Sequence, residues 1–246
     1  MEALSKRINS LPVSATLAMA AKARELKNQG IDIIGLSLGE PDFNTPEFIK
    51  DAAVQAVNDN WNSYSPVDGY ADLKEAICKK FDRDNNLSYR PSQIVVSTGA
   101  KQSIANVCMV LLDPGDEVLL PAPYWVSYSA IATLAEAKST IIPSSIETDF
   151  KITPAQLEAA ITPRTKLIMF NSPNNPSGTI YTEDEYRALG KVLENYPEIY
   201  ILSDEIYEHI NYGTPHFSFA AIESLYDRTI TVNGVAKAFS MTGWRI

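Results

Sequence analysis

Lys237 lies between Ala236 and Ala238, beside Phe239, with Arg245 close behind it. An amine among small and apolar neighbours is poorly placed as a solubilising charge. Desolvation favours its neutral form, which attacks carbonyl carbons. Most lysines are nevertheless surface residues, so other groups must decide whether this one reacts. Three stretches supply them. Ser203-Asp204-Glu205-Ile206-Tyr207 offers a carboxylate and a phenol, and Asn171-Ser172-Pro173-Asn174-Asn175-Pro176-Ser177-Gly178 offers an amide. Thr98-Gly99-Ala100-Lys101-Gln102 reads as a glycine turn opening a helix, whose free N–H groups and positive dipole end suit an anion. Taken singly, each has a plain structural explanation, namely a capping Asp, a half-buried Tyr and an Asx-rich turn.

The elements around them make the set coherent. Ser14 to Gln29 has helical spacing, with Ser14 or Thr16 as cap and Gly30 as stop, and Thr45 and Pro46 open a second helix. Ile31–Leu38 and Gln93–Ser97 read as strands, the latter running into the Gly99 turn and a helix over Ser103–Leu112. Strand and helix then alternate: strands at Glu117–Leu120, Ser139–Ile142, Lys166–Phe170, Ile199–Ser203 and Thr229–Val232, with helices at Tyr124–Leu134, Pro154–Ile161 and Thr182–Asn195. This alternation predicts an α/β fold, a mainly parallel sheet with helices on both faces. Asn175, Asp204 and Lys237 each follow a strand, and in such sheets ligands sit beyond the carboxyl ends of the strands.

Composition excludes several alternatives. The 246 residues are 45% hydrophobic, enough for a sizeable core, and the net charge of -9 argues against a nucleic-acid partner. No run approaches the roughly 18 apolar residues that span a bilayer, and the N-terminus lacks a signal-like apolar core, so a cytoplasmic protein without membrane contact is expected. Cys78 and Cys108 lack metal or redox spacing and are expected as free thiols, and His209 and His216 are too few for a histidine-rich metal centre. Gly35-Leu36-Ser37-Leu38-Gly39 matches the G-x-S-x-G of hydrolases, but Pro41 follows and helix resumes only near Pro46, so Ser37 is not on a strand-to-helix elbow. No G-x-G-x-x-G and no P-loop occurs.

An amine, an acid, a phenol, an amide, a helix terminus and an arginine together meet the needs of pyridoxal 5'-phosphate. Ser172 to Gly178, Ser203 to Glu208 and Ala236 to Arg245 resemble the motifs of class I aminotransferases of the pyridoxal-phosphate fold type I, specifically the bacterial aspartate aminotransferase subgroup. Gly39-Glu40-Pro41-Asp42-Phe43, Tyr64 to Gly69, Ser97 to Gln102 and Pro121-Ala122-Pro123-Tyr124-Trp125 resemble that family in the same order, so the likeness covers essentially the whole chain.

The resemblance implies that Lys237 is the Schiff-base lysine and proton shuttle, that Asp204 pairs the pyridine nitrogen, and that Tyr207 and Asn175 contact the 3'-oxygen. It places Trp125 on the ring face and Gly99, Ala100, Lys101 and Arg245 around the phosphate. Tyr64 would reach the cofactor of a second subunit, which implies a homodimer with shared active sites. Gly39, Trp125, Asn175, Lys101 and Thr16 would border the substrate, Lys101 meeting a side-chain carboxylate. The hydroxyls that the family often carries just before the lysine are replaced by Gly234 and Ala236. The implied reaction moves an amino group from an amino acid, L-aspartate foremost, to a 2-oxo acid such as 2-oxoglutarate. Its rivals are a C–S lyase or decarboxylase on the same cofactor, and a non-catalytic fragment. Residues 1–45 are expected to form an N-terminal arm with part of a small domain, and 46–246 a large cofactor-binding domain. Members of the family run well beyond Ile246, so the chain is expected to be truncated on its C-terminal side.

Overall fold

The computed structural model describes residues 4–11, 15–35 and 39–246, with the backbone alone at 15–17. Its helices in chain order are α1 (Lys6–Asn9), α2 (Ala15–Asn28), α3 (Glu47–Asn58), α4 (Ala71–Asn85), α5 (Ala100–Leu111), α6 (Ser127–Leu134), α7 (Pro154–Ala160) and α8 (Glu183–Leu193). Its strands are β1 (Glu117–Pro121), β2 (Lys138–Ile142), β3 (Thr165–Asn171), β4 (Tyr200–Asp204) and β5 (Thr229–Val232). Reciprocal capping boxes, Thr153 with Gln156 and Thr182 with Glu185, start α7 and α8.

Among the described residues the strands form one parallel sheet in the order β2-β1-β3-β4-β5. Its strands are apolar almost throughout because both faces are covered. Leu119, Ile168, Phe170 and Ile201 pack with Leu157, Tyr186 and Leu189 on the α7–α8 side. Val118, Leu120, Leu167, Met169 and Leu202 turn the other way, onto Ile104, Cys108, Tyr128 and Ile131 of α5 and α6. This is the two-residue alternation of a pleated strand, and each fully buried large side chain contributes about 1.5–3 kcal/mol. At the amino edge Glu117, 1% exposed, accepts from Thr162 and from Arg164, which ties β1 to the start of β3. At the carboxyl edge the register sets Asn171 opposite Asp204 and Asp204 opposite Val232, so three strand ends finish together.

Several expected elements differ. Gln93–Ser97 is no strand: Pro91–Gln93 is a 3-10 turn, Val95 is 65% exposed, and Val96 N–H donates to Asp68 O at 3.1 Å. Strand propensity expresses packing against neighbours, and this run has no ladder among the described residues. Ile31–Gly35 is irregular, and Leu36, Ser37 and Leu38 lie outside the described residues. The helix expected from Tyr124 starts at Ser127, because the first turn closes with Tyr128 N–H on Trp125 O at 3.0 Å and leaves Tyr124 and Trp125 in the turn after β1. α5 begins at Ala100 rather than Ser103, with Gly99 as its N-cap. Thr45 does not cap α3; Pro46 holds that position, and the Thr45 hydroxyl donates to Ser240 O at 2.7 Å. Ser14 lies outside the described residues, and Thr16 falls inside α2. Cys78 and Cys108 are free, and no helix among the described residues is long and apolar enough to cross a membrane.

Candidate active site

β4 delivers Asp204 to the carboxyl edge, where it is 3% exposed. The Tyr128 hydroxyl donates to Oδ2 at 2.6 Å, and the Ile206 N–H donates to Oδ1 at 3.2 Å. Burial pushes this carboxyl up to about 6; the two donors oppose the rise and Glu205 adds to it. Asn171, the last residue of β3, donates from Nδ2 to Asp204 O at 2.9 Å and accepts Asn175 N–H on Oδ1 at 2.7 Å. One side chain thereby fixes the 172–178 turn over β4. The turn carries Asn175 to Tyr207, whose hydroxyl accepts from Asn175 Nδ2 at 3.3 Å. Burial, with the nearby Asp204, raises the Tyr207 phenol above its ordinary value, and the Asn175 bond opposes the shift.

Lys237 follows β5 on a short turn closed by Met241 N–H on Ala236 O at 2.9 Å. Its Nζ stands 5.8 Å from the Tyr207 ring centroid and donates to Gly39 O at 3.2 Å. Burial lowers the ammonium below its usual range; Glu40 opposes that shift and Arg245 adds to it. An amine so placed is nearer to its nucleophilic form than an exposed lysine.

Arg245 closes the site against α5. Gly99 has φ +81°, and a Cβ built on it would stand 2.5 Å from an Arg245 guanidinium nitrogen, so only glycine lets the arginine reach the helix start. Arg245 Nη1 donates to Thr242 O at 2.7 Å, which turns the fork toward the Ala100 end of α5. A guanidinium beside a helix N-terminus is a receptor for a phosphate. Trp125 stands edge-on to Tyr128 with centroids 5.5 Å apart, and Lys101 Nζ lies 4.8 Å from the Trp125 ring centroid.

Lys237, Asp204, Tyr207, Asn175, Gly99, Ala100, Arg245, Trp125, Lys101 and Gly39 thus gather at one sheet edge. Tyr64 does not join them: it is fully exposed and makes no hydrogen bond among the described residues. The side chain of Thr16 lies outside the described residues. Sequence reasoning missed Tyr128 and Asn171 as site residues. A tyrosine one helical turn beyond Trp125 was the available signal for the first, and the strand-terminal position was the signal for the second.

Aminotransferase class I and II is the family that matches, over residues 31–246. The chain is similar to the aspartate/prephenate aminotransferase of Nitrosomonas europaea, 51% identical over 99% of this chain and 62% of the relative. The aspartate aminotransferase of Bacillus subtilis is likewise 51% identical, with the same coverage of each. Among solved structures, the aspartate aminotransferase from Rhizobium meliloti superposes with a TM-score of 0.95 at 46% identity, covering 98% of this chain and 61% of that one. The aspartate aminotransferase of Thermus thermophilus with maleate gives 0.95 at 44% identity, covering 100% and 63%. The chain therefore spans about 62% of the length of the curated relatives it matches. The matched family, the parallel sheet and the groups at its carboxyl edge agree: this chain belongs to the class I and II aminotransferases.

Proposed function

We propose that the full-length protein is a pyridoxal-phosphate-dependent aminotransferase that moves an amino group from L-aspartate to 2-oxoglutarate in a ping-pong cycle. The observation that carries the reading is the seating of Arg245 over Gly99 at the start of α5, on the same sheet edge as buried Asp204 and half-buried Lys237. The cofactor, when bound, supplies an aldehyde for the lysine and a ring that draws electrons from the substrate Cα.

The chain's own residues do the rest. Asp204, buried at 3% exposure, would pair the cofactor's ring nitrogen and keep it protonated. Its raised proton affinity suits a carboxylate that waits for a cationic partner. Tyr207 and Asn175, already hydrogen-bonded to each other, would bind the cofactor's ring oxygen, and Trp125 would stack on its ring. Gly99, Ala100 and Arg245 hold the phosphate, with Lys101 next to them. Lys237 would accept the proton from the substrate Cα and give it back later in the cycle, a role that its lowered proton affinity suits. Lys101, Gly39 and Thr16 border the substrate, and Lys101 is the cation for a side-chain carboxylate. Full exposure of Tyr64 supports a role in a second subunit's site, hence a homodimer. Residues 1–45 form the arm with part of a small domain and 46–246 the large domain, joined where Thr242 Oγ1 donates to Glu40 Oε1 at 3.0 Å. The free thiols support a cytoplasmic location.

The test uses the full-length protein with aspartate and 2-oxoglutarate. Oxaloacetate and glutamate are the expected products, and Lys237→Ala should lower their formation by at least about 10²–10⁴-fold, the share of general acid–base catalysis alone. Alanine or β-alanine with carbon dioxide would instead indicate decarboxylase chemistry, and pyruvate with ammonia and sulfide from cysteine in a parallel assay would indicate a C–S lyase.

A further inference from the structure

The chain has two histidines, and both lie against buried carboxylates of the turn that carries Asp204 and Tyr207. His209 Nε2 is 3.0 Å from Glu208 Oε1, and Glu208 is also bound by Lys80 and, at 2.9 Å, by Asn85 Nδ2 of α4. That carboxylate anchors a helix. Glu205 is different. It is 1% exposed, and among the described residues its one ion-pair partner is His216, whose Nε2 is 3.0 Å from Oε2. Oε1 accepts from Ser203 Oγ and Ser218 Oγ, both at 2.8 Å, and from Phe219 N–H at 3.3 Å. Its backbone N–H donates to Val232 O at 2.8 Å, at the end of the strand that leads to Lys237.

Glu205 directly follows Asp204 and faces the other way, toward Ser218 and Phe219, while Asp204 faces Tyr128. A buried charge beside a buried acid raises that acid's proton affinity. The other titratable neighbours do not change charge near neutral pH. Burial raises the phenols of Tyr128 and Tyr207 at Asp204, and those of Tyr89 and Tyr186 at Glu205. Burial also works against the charge of Glu208, but the Lys80 ammonium and the Asn85 amide outweigh it and keep that carboxyl below its ordinary range.

We propose that Glu205 is a positioning residue for the cofactor site and that its partner His216 sets the net charge presented to Asp204. With an imidazolium the pair is neutral; with a neutral imidazole Glu205 adds a negative charge behind the acid that must hold the ring nitrogen. The inference rests on the reading that this edge binds pyridoxal phosphate. Its readout is the affinity of the cofactor-free full-length protein for pyridoxal phosphate, titrated between about pH 5 and 8. Glu205→Gln keeps the shape and most donors' partners but removes the charge, so the acid limb of the affinity profile should move down by about one pH unit. His216→Gln removes the compensating charge and should move the limb up. Opposite shifts support the proposal, since a merely structural pair would weaken binding at every pH without moving the limb. Unmoved limbs, or shifts in the same direction, overturn it. Should Glu205→Gln fail to fold, the His216→Gln profile decides alone, an upward shift supporting the proposal and an unmoved limb overturning it. A wild-type protein that binds no pyridoxal phosphate overturns the reading of the site itself, and the inference falls with it.

Discussion

Asp204 carries the clearest energetic signature of a site built for a cation. Its folded-state value of about 6 stands above the unfolded value of about 3.9, so between the two the folded chain binds more protons than the unfolded one. The stability this contributes is fully present below about pH 4 and is lost as the pH rises through about 6, a difference of up to about 3 kcal/mol. Cofactor-free Asp204→Asn protein should therefore lose less stability than wild type between about pH 4 and 7, as urea unfolding would show, while binding pyridoxal phosphate more weakly. Equal pH slopes would mean that the carboxylate already has a cationic partner. The gathering of Lys237, Asp204, Tyr207 and Asn175 at one sheet edge was legible in the sequence because each lies at or just beyond the end of a strand. Tyr128 and Asn171 were harder to read as site residues. Their bonds to Asp204 span 76 and 33 positions, so the local signals, a tyrosine one turn beyond Trp125 and a strand end, do not name the partner.

At the scale of elements, the junction of α5 with the Lys237 turn is the proposed anion site. Gly99→Ala puts a methyl group where the Arg245 guanidinium lies and forces an L side chain to φ +81° and ψ 159°, at a cost of about 1–3 kcal/mol in backbone strain alone. Gly99→Ala and Arg245→Ala should each weaken pyridoxal phosphate binding and leave the affinity for pyridoxal, which lacks the phosphate, nearly unchanged. Equal losses for both ligands would place the phosphate elsewhere. Alternation of strands and helices from Glu117 onward was readable because capping boxes and apolar runs agree there. Gln93–Ser97 misled because Ile94, Val95 and Val96 favour strand by type, whereas a strand exists only where a neighbour completes its ladder.

For the whole molecule, the sheet is covered on both faces, yet large apolar residues stand exposed on the amino-terminal half, including Phe48, Val57, Trp61, Tyr64 and Val67. Such a surface fits a second subunit. If Tyr64 serves the partner's site, a hybrid dimer of Tyr64→Ala and Lys237→Ala chains rebuilds one intact site. Mixing the two inactive variants after mild dissociation should then restore activity, up to about a quarter of wild type when half the dimers are hybrids with one working site each. No recovery on mixing, with hybrid dimers shown to form, would confine each site to one chain.

In the proposed function, one lysine at the carboxyl edge of this sheet holds the cofactor. Borohydride reduction of the full-length protein loaded with pyridoxal phosphate, followed by peptide mass mapping, tests it directly. A single pyridoxyl-phosphate label on Lys237 is expected; a label on another lysine, or none, would overturn the assignment.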